Sequence, residues 1–76
     1  MDKSAQDITY FISFCIELYK HKHCINGMEA MQTLDTFGVL KYLADNYEVL
    51  HTQSSAWLME EMEEYIQLRK KEAELC

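Results

Sequence analysis

Proline is absent from the 76-residue sequence, and glycine occurs only twice. Sheets with many tight turns rely on both residues, so their scarcity favours helices. The three cysteines form no Cys-x-x-Cys pair, and an odd number does not suit the disulfide framework of a small secreted domain. No unbroken apolar stretch is long enough to cross a bilayer as a helix. We therefore expect a cytoplasmic protein with reduced thiols and no membrane segment.

Basic residues are also scarce, since seven Lys and Arg stand against 13 Asp and Glu and the net charge is −6. An acidic domain of this size is poorly suited to binding nucleic acid or an anionic membrane. Apolar residues make up 49% of the chain, which excludes a disordered segment. The length predicts a single α-helical domain over residues 1–76.

Apolar residues recur at three- and four-residue spacing, which predicts an all-α fold. The expected architecture is a small compact bundle of three main helices plus a short fourth helical segment near residues 46–52. Asn26 is a candidate N-cap, and Gly38 follows Phe37 where a left-handed C-cap belongs. The expected apolar positions of the second helix are Met28, Met31, Leu34 and Phe37.

Two segments leave alternatives open. Residues 47–52 keep helical spacing through Tyr47 and Leu50, but Tyr47 and Val49 also alternate as they would in a short extended piece. We favour a helical turn here. Residues 52–55 then break the pattern, and any of their hydroxyl groups is a candidate cap for the last helix. At the C-terminus, residues 69–76 either continue that helix or form a frayed tail.

The segment GVLKYLADNYEVLHTQ, residues 38–53, is more distinctive than a general amphipathic helix. It resembles the signature G-V-L-x-Y-L-x-x-x-Y-x-V-L-H-T of a family of short bacterial domains of unknown function, and residues 14–17 and 64–66 also resemble that family's pattern. Four residues are assigned as its structural signature: Gly38, Tyr47, His51 and Thr52. The resemblance implies a bacterial, stand-alone, small α-helical protein. More loosely, it implies a gene beside one for an ADP-ribosyltransferase-like protein, as in a toxin–antitoxin pair, and it supplies no catalytic or ligand residue.

The run His21-Lys22-His23-Cys24 contains residue types that bind zinc or copper. On a helix, however, His21 and His23 point away from each other, and a complete site would need a distant ligand such as His51. The alternative interpretation is a basic helix C-terminus that satisfies its own carbonyl groups. We expect no bound metal and no other cofactor.

A nucleophile–base pair is conceivable between His51 and Asp45, Ser54 or Cys15. No glycine-rich loop accompanies these residues, no oxyanion hole is indicated, and so small a domain has difficulty enclosing a dry pocket. We expect His51 instead to bond a nearby backbone group or hydroxyl and to fix the turn before the last helix. The sequence thus predicts no catalytic residues, no small-molecule substrate and no enzymatic activity.

Residues 28–47, with Gly38 in the turn, also fit a helix–turn–helix. In the second helix of this unit only Lys41 and Asn46 are suited to contact bases, and they are accompanied by Asp45 and Glu48. A DNA-binding regulator is therefore the alternative function rather than the favoured one.

The large apolar fraction in so short a chain favours protein–protein interaction, because a small bundle does not cover all of its apolar surface. Large aromatic side chains dominate interface energies, so the predicted partner-binding residues are Tyr10, Phe14 and Trp57. The acidic run at residues 60–64 is expected to be a solvated helix face. The predicted function is a small non-enzymatic bacterial protein that forms a homo-oligomer or an antitoxin-like complex with a neighbouring gene product.

Overall fold

The computed structural model describes residues 3–75 of the chain. This range contains five α-helices and no strand: α1 (Lys3–His23), α2 (Gly27–Thr36), α3 (Val39–Asp45), α4 (Tyr47–Leu50) and α5 (Ser55–Leu75). The predicted all-α class is confirmed. The predicted count of three main helices plus one short segment is wrong, because four of the five helices in the described range have seven residues or more.

Gly38 explains the additional helix. Its φ of 74° lies in the left-handed region, where a side chain would meet the backbone and glycine does not. Its N–H donates to the carbonyl oxygen of Asp35 at 3.0 Å, which ends α2 where the sequence predicted. One residue in this conformation is enough to divide residues 27–45 into two helices. Residues 47–50 form α4, so the helical alternative for this segment is confirmed and the extended one is wrong.

Local capping fixes the other helix boundaries. Asn26 is the N-cap of α2, as predicted, because its side-chain oxygen accepts a hydrogen bond from the Glu29 backbone N–H at 2.8 Å. Among the hydroxyl groups of residues 52–55, that of Ser54 caps α5 by accepting from the Trp57 N–H at 3.2 Å. At the end of α1, Cys24 takes a positive φ of 53° and Ile25 N–H donates to the carbonyl of Lys20 at 3.2 Å. This bond closes the last turn of α1.

All five helices contribute to one core, and α1 lies at its centre because it packs against α2, α3 and α5. Every buried side chain among the described residues is apolar or aromatic. The core consists of Phe11, Cys15, Tyr19, Ala30, Leu34, Val39, Leu43, Leu50, Leu58, Met59, Met62 and Ile66. A core with so few members leaves little redundancy, so truncating any one of them removes a large share of the packing.

The apolar face predicted for α2 is only partly correct. Leu34 is fully buried, but Met28 is 66% exposed and Met31 is also exposed. A spacing of three residues turns the side chain by about 60° per step relative to the helix axis, so such a series leaves the core-facing side within a few steps. The buried pair is instead Ala30 and Leu34, four residues apart, which stay on one face.

The two halves of α5 differ in burial. Its first half buries Leu58, Met59, Met62 and Ile66, whereas residues 67–74 are all exposed. The helix continues to Leu75, and Cys76, the last residue of the predicted tail, lies outside the described residues. None of the helices in residues 3–75 combines the length and apolar composition required to cross a bilayer.

Candidate functional site

Tyr10 and Phe14 form an exposed aromatic pair on α1. They are four residues apart and therefore lie on the same side of the helix, one turn from each other. Tyr10 is 80% exposed and Phe14 is 46% exposed, although Phe11 and Cys15 beside them belong to the core. The third predicted residue, Trp57, is partly exposed in the first turn of α5. No ring contact among the described residues joins it to Tyr10 or Phe14.

A shallow depression of about 430 Å³ lies beside Tyr10 on the same outer face of α1. Its lining is uncharged, and three of its five side chains are small: Ala5, Thr9 and Ser13 lie there with Gln6 and Tyr10. Small side chains allow another surface to approach the helix backbone closely, and the aromatic ring stands at the edge of that space. We call this outer face of α1, with Tyr10, Phe14 and the depression, the aromatic face.

The signature residues have structural contacts. His51 Nδ1 lies 2.8 Å from the carbonyl oxygen of Tyr47, and the two rings stack with centroids 4.5 Å apart. Thr52 Oγ1 donates to the carbonyl oxygen of Val49 at 2.9 Å. Tyr47 also meets Phe11 of α1 edge to face, with ring centroids 5.5 Å apart. Together these contacts close the end of α4 and hold it against α1, and the expected backbone bond of His51 is present.

The residues considered for nucleophilic chemistry are each engaged elsewhere. Asp45 pairs with Lys41 Nζ at 2.8 Å, and Ser54 caps α5. Burial raises the pKa of the Cys15 thiol to about 12, so at neutral pH the sulfur is protonated and a poor nucleophile. His51 is held by Tyr47. The structure brings none of these into a hydrogen-bonded nucleophile–base pair.

The basic end of α1 makes ion pairs rather than a ligand cluster. His21 Nε2 lies 3.5 Å from Glu17, whereas His23 Nε2 lies 3.6 Å from Glu63 on α5. Lys22 Nζ reaches the same Glu63 oxygen at 3.0 Å. The expectation that this segment satisfies its own backbone carbonyls therefore misses its main contacts, which are carboxylates. Across the described residues, no three His, Cys, Asp or Glu side chains converge as metal ligands would.

The acidic run of α5 is not the uniformly solvated face expected from the sequence. Glu60 and Glu64 are exposed, but Glu61 and Glu63 are half-buried. The Glu63 oxygen Oε1 is shielded from solvent against Lys22, while Glu61 accepts a hydrogen bond from the Tyr42 hydroxyl at 2.7 Å. Both carboxylates turn toward the bundle because they lie at the edges of the buried stripe of α5, beside Met62.

Sequence reasoning did not identify the cluster around Tyr42. The Tyr42 ring of α3 stacks on Tyr65 of α5 at 4.6 Å, and Arg69 extends over Tyr65 with its guanidinium carbon 6.0 Å from the ring centroid. The hydrogen bond to Glu61, followed by burial and the charge of Glu61, raises the pKa of Tyr42 to about 12. The sequence gives one indication of this contact. Glu61 lies three residues after Leu58 and four before Tyr65, which places it near the apolar stripe of α5. This cluster joins α3 to α5 and has a structural role.

An open groove of about 870 Å³ separates the end of α1 from α5. Tyr19 and Ile66 line its apolar part, and exposed Glu60, Glu64 and Leu68 line its outer side. The groove is wide and shallow, so it offers a surface for another chain to lie along rather than an enclosed site for a small molecule.

Comparison with curated proteins and with solved structures gives no match. A family model described as "Protein of unknown function (DUF3791)" matches residues 10–69, a range that contains the signature residues and all three exposed aromatics discussed above. The resemblance expected from residues 38–53 is thereby confirmed. The chain belongs to the DUF3791 family, a family of proteins of unknown function.

Proposed function

We propose that this chain is a non-enzymatic interaction module that binds a protein partner through the aromatic face of α1. The observation that carries the proposal is the exposure of Tyr10, which presents 80% of its surface to solvent on the central helix of the bundle. An aromatic side chain in this position contributes nothing to the core, but it can bury a large area on contact with a partner.

The rigidity of α1 supports this assignment. Phe11, Cys15 and Tyr19 anchor the adjacent side of the helix in the core, so Tyr10 and Phe14 project from a fixed backbone. Binding through residues that are already ordered costs less conformational entropy than ordering a loop. Aromatic anchors with the polar, small-residue depression beside them also match the usual composition of an interface centre and its rim.

The contacts of the side chains considered for catalysis support a non-enzymatic role. Three of the residues considered for a nucleophile–base pair are engaged within the fold: His51 bonds a carbonyl, Asp45 pairs with Lys41, and Cys15 is buried in the core. When His51 donates from Nδ1 to the Tyr47 carbonyl oxygen, its Nε2 lone pair stays free, but catalysis also needs a substrate held beside that atom. The depressions described on this surface are open and shallow.

The contacts of α3 do not favour the alternative DNA-binding function. Lys41 is paired with Asp45 at 2.8 Å, and the Asn46 amide donates to the Tyr42 carbonyl at 2.9 Å. Both side chains that suit base contacts would have to break an existing bond to read DNA.

The product of the adjacent gene is the first partner to test, because the family resemblance implies an antitoxin-like pairing. The two proteins are co-expressed, purified through a tag on the partner, and titrated by calorimetry. Tyr10→Ser and Phe14→Ser should each weaken binding at least about tenfold, as expected for central aromatic anchors. Trp57→Ser tests whether the surface extends to α5.

Val49→Ser is the matched control, since Val49 is also an exposed apolar residue but lies on α4. Binding by wild type that both α1 variants retain would contradict the proposal, as would the absence of any complex in a host expressing both genes. A shift of the gene's upstream DNA on an electrophoretic gel, lost in Lys41→Ala, would support the regulator instead.

A further inference from the structure

The side of α5 opposite its buried residues carries a charge stripe with an exposed leucine in the middle. Its members lie at spacings of three, four and seven residues, which keeps them on one face. They are Glu60, Glu64, Gln67, Leu68 and Lys71, and all are exposed. Leu68 is 61% exposed, so its side chain is not used by the core of this copy.

The charges of this stripe are free, unlike those of its neighbours. Glu63 is paired with Lys22, and Arg69 lies 3.8 Å from Glu72. Within the part of the chain that the structure describes, neither Glu64 nor Lys71 has an ion-pair partner. The i+4 neighbour of Glu64 is Leu68, which is uncharged. Glu74 follows Lys71 by three residues, but the two form no ion pair in the described part of the chain.

We propose that this stripe binds the same stripe of a second copy of the chain, with the two α5 helices antiparallel. Leu68 then packs near the twofold axis, and Glu64 of each copy faces Lys71 of the other. Glu64 and Lys71 lie at similar distances on either side of residues 67 and 68, so both ion pairs form in one register. A surface that is complementary to itself in this way is what a closed, twofold-symmetric dimer requires.

Charge complementarity fixes the direction of the pairing. A parallel arrangement would place Glu64 against Glu64 and Lys71 against Lys71, which is unfavourable at both ends. The groove between the end of α1 and α5 borders the stripe at Glu64, Gln67 and Leu68, so this edge of the stripe is open. The symmetric contact spans about 10 Å of helix, from residue 64 to residue 71, so it is small and the dimer should form only at high protein concentration.

This dimer goes beyond the proposed function, because it uses α5 and leaves the aromatic face of α1 free. The test is sedimentation velocity over a concentration series, with Leu68→Ser, Glu64→Lys, Lys71→Glu and the double variant Glu64→Lys/Lys71→Glu. Each single variant should raise the dimer dissociation constant at least about tenfold. The double variant should restore the wild-type value, and an equimolar mixture of the two single charge variants should form a heterodimer.

The two single charge variants separate this pairing from a general effect of net charge. Glu64→Lys makes the acidic chain less negative and Lys71→Glu makes it more negative, so repulsion alone would move their association in opposite directions. The proposed pairing predicts that both weaken it. Circular dichroism checks that each variant keeps its helix content.

Wild-type protein that stays monomeric at the highest concentration reached, or a double variant that behaves like the single ones, would overturn the dimer. Tyr10→Ser should leave dimerisation unchanged, and Glu64→Lys should leave binding to the heterologous partner unchanged. Failure of the dimer can therefore be told apart from failure of the proposed function.

Discussion

The two halves of α5 are continuous in sequence and secondary structure but differ in what stabilises them. Residues 55–66 place four side chains in the core and lie against α1 and α3. Residues 67–74 bury none. Lys70 lies over the half-buried ring of Phe37, and Arg69 contacts Tyr65 and Glu72 on α5 itself. Helices of this size depend mainly on the packing of an apolar face. The first half is thus part of the fold, and the second half is an extension that is free to serve a contact outside it.

The largest expected difference between the two halves of α5 is in the effects of two alanine substitutions only two residues apart. Ile66→Ala should lower the free energy of unfolding by about 2–5 kcal/mol, because it leaves a cavity in a small core. Leu68→Ala should change it by less than about 0.5 kcal/mol, since Leu68 is exposed. Urea denaturation at low protein concentration measures both. Leu43→Ala, in the core on α3, should resemble Ile66→Ala, and equal effects at residues 66 and 68 would contradict the burial pattern.

The sequence predicted the elements whose causes are local. Asn26, Gly38 and the hydroxyl groups before α5 act on their own neighbours through capping or a backbone angle, so short motifs were sufficient to place these helix ends. The apolar stripes of α1 and α5 follow the helical period for the same reason. The predicted number of helices is one too low, because Gly38 divides residues 27–45 into two separate helices, α2 and α3.

The contacts that the sequence could not predict connect distant residues. The Tyr42–Glu61 bond spans 19 positions, and the Lys22–Glu63 pair joins α1 to α5. A run of four glutamates is typical of a solvated face, and only the relative rotation of packed helices decides which of them turn inward. The exposure of the candidate site could not be predicted for the same reason. The sequence places Tyr10 and Phe14 on a helix, but their exposure depends on which sides of α1 are covered by α2 and α5.

A second comparison contrasts the two glycines. Gly38→Ala should cost about 1–2 kcal/mol, because φ is 74° there and a side chain is strained in that conformation. Gly27→Ala should be neutral or slightly stabilising, since nothing lies within 4 Å of an added Cβ and α2 already includes this residue. Thermal unfolding of the two variants checks this, and a loss at Gly27 equal to that at Gly38 would exclude the backbone explanation.

The Tyr42–Glu61 bond tests how the first half of α5 is attached to α3. Tyr42→Phe should cost about 1–2 kcal/mol, because it removes a hydrogen bond to a charged acceptor and keeps the stacked ring. Tyr65→Phe is the matched control, since it leaves that hydrogen bond in place. Denaturant unfolding at neutral pH compares them, and equal losses would mean that the hydrogen bond to Glu61 contributes no specific stabilisation, because both variants keep the stacked ring.

The same bond gives a pH dependence with a definite sign. The pKa of Tyr42 is raised from 10.0 in the unfolded chain to about 12 in the fold. The stabilisation that comes from the raised pKa of Tyr42 is therefore complete below pH 10 and is lost as the pH rises toward 12. The reason is that Tyr42 loses its hydroxyl proton at a lower pH in the unfolded chain than in the fold. Burial of Cys15 acts in the same direction, so wild type and Tyr42→Phe are compared over pH 9–12. The variant should lose less stability than wild type, and a steeper loss would contradict the assignment.

The smallest expected effect concerns the contact between Lys70, in the second half of α5, and the ring of Phe37, which follows α2. Lys70 Nζ lies 5.5 Å from the centroid of Phe37, and an exposed cation–π contact of this kind contributes about 0.5–1 kcal/mol. Lys70→Ala should therefore speed amide hydrogen exchange in residues 67–74. Lys71→Ala makes the same change in helix propensity without that contact, so it should not speed exchange there at a concentration where the chain is monomeric. In both variants the amides of residues 58–66 should keep wild-type protection, because the core holds them. Faster exchange that spreads from Lys70→Ala into residues 58–66 would show that the two halves of α5 unfold as one unit.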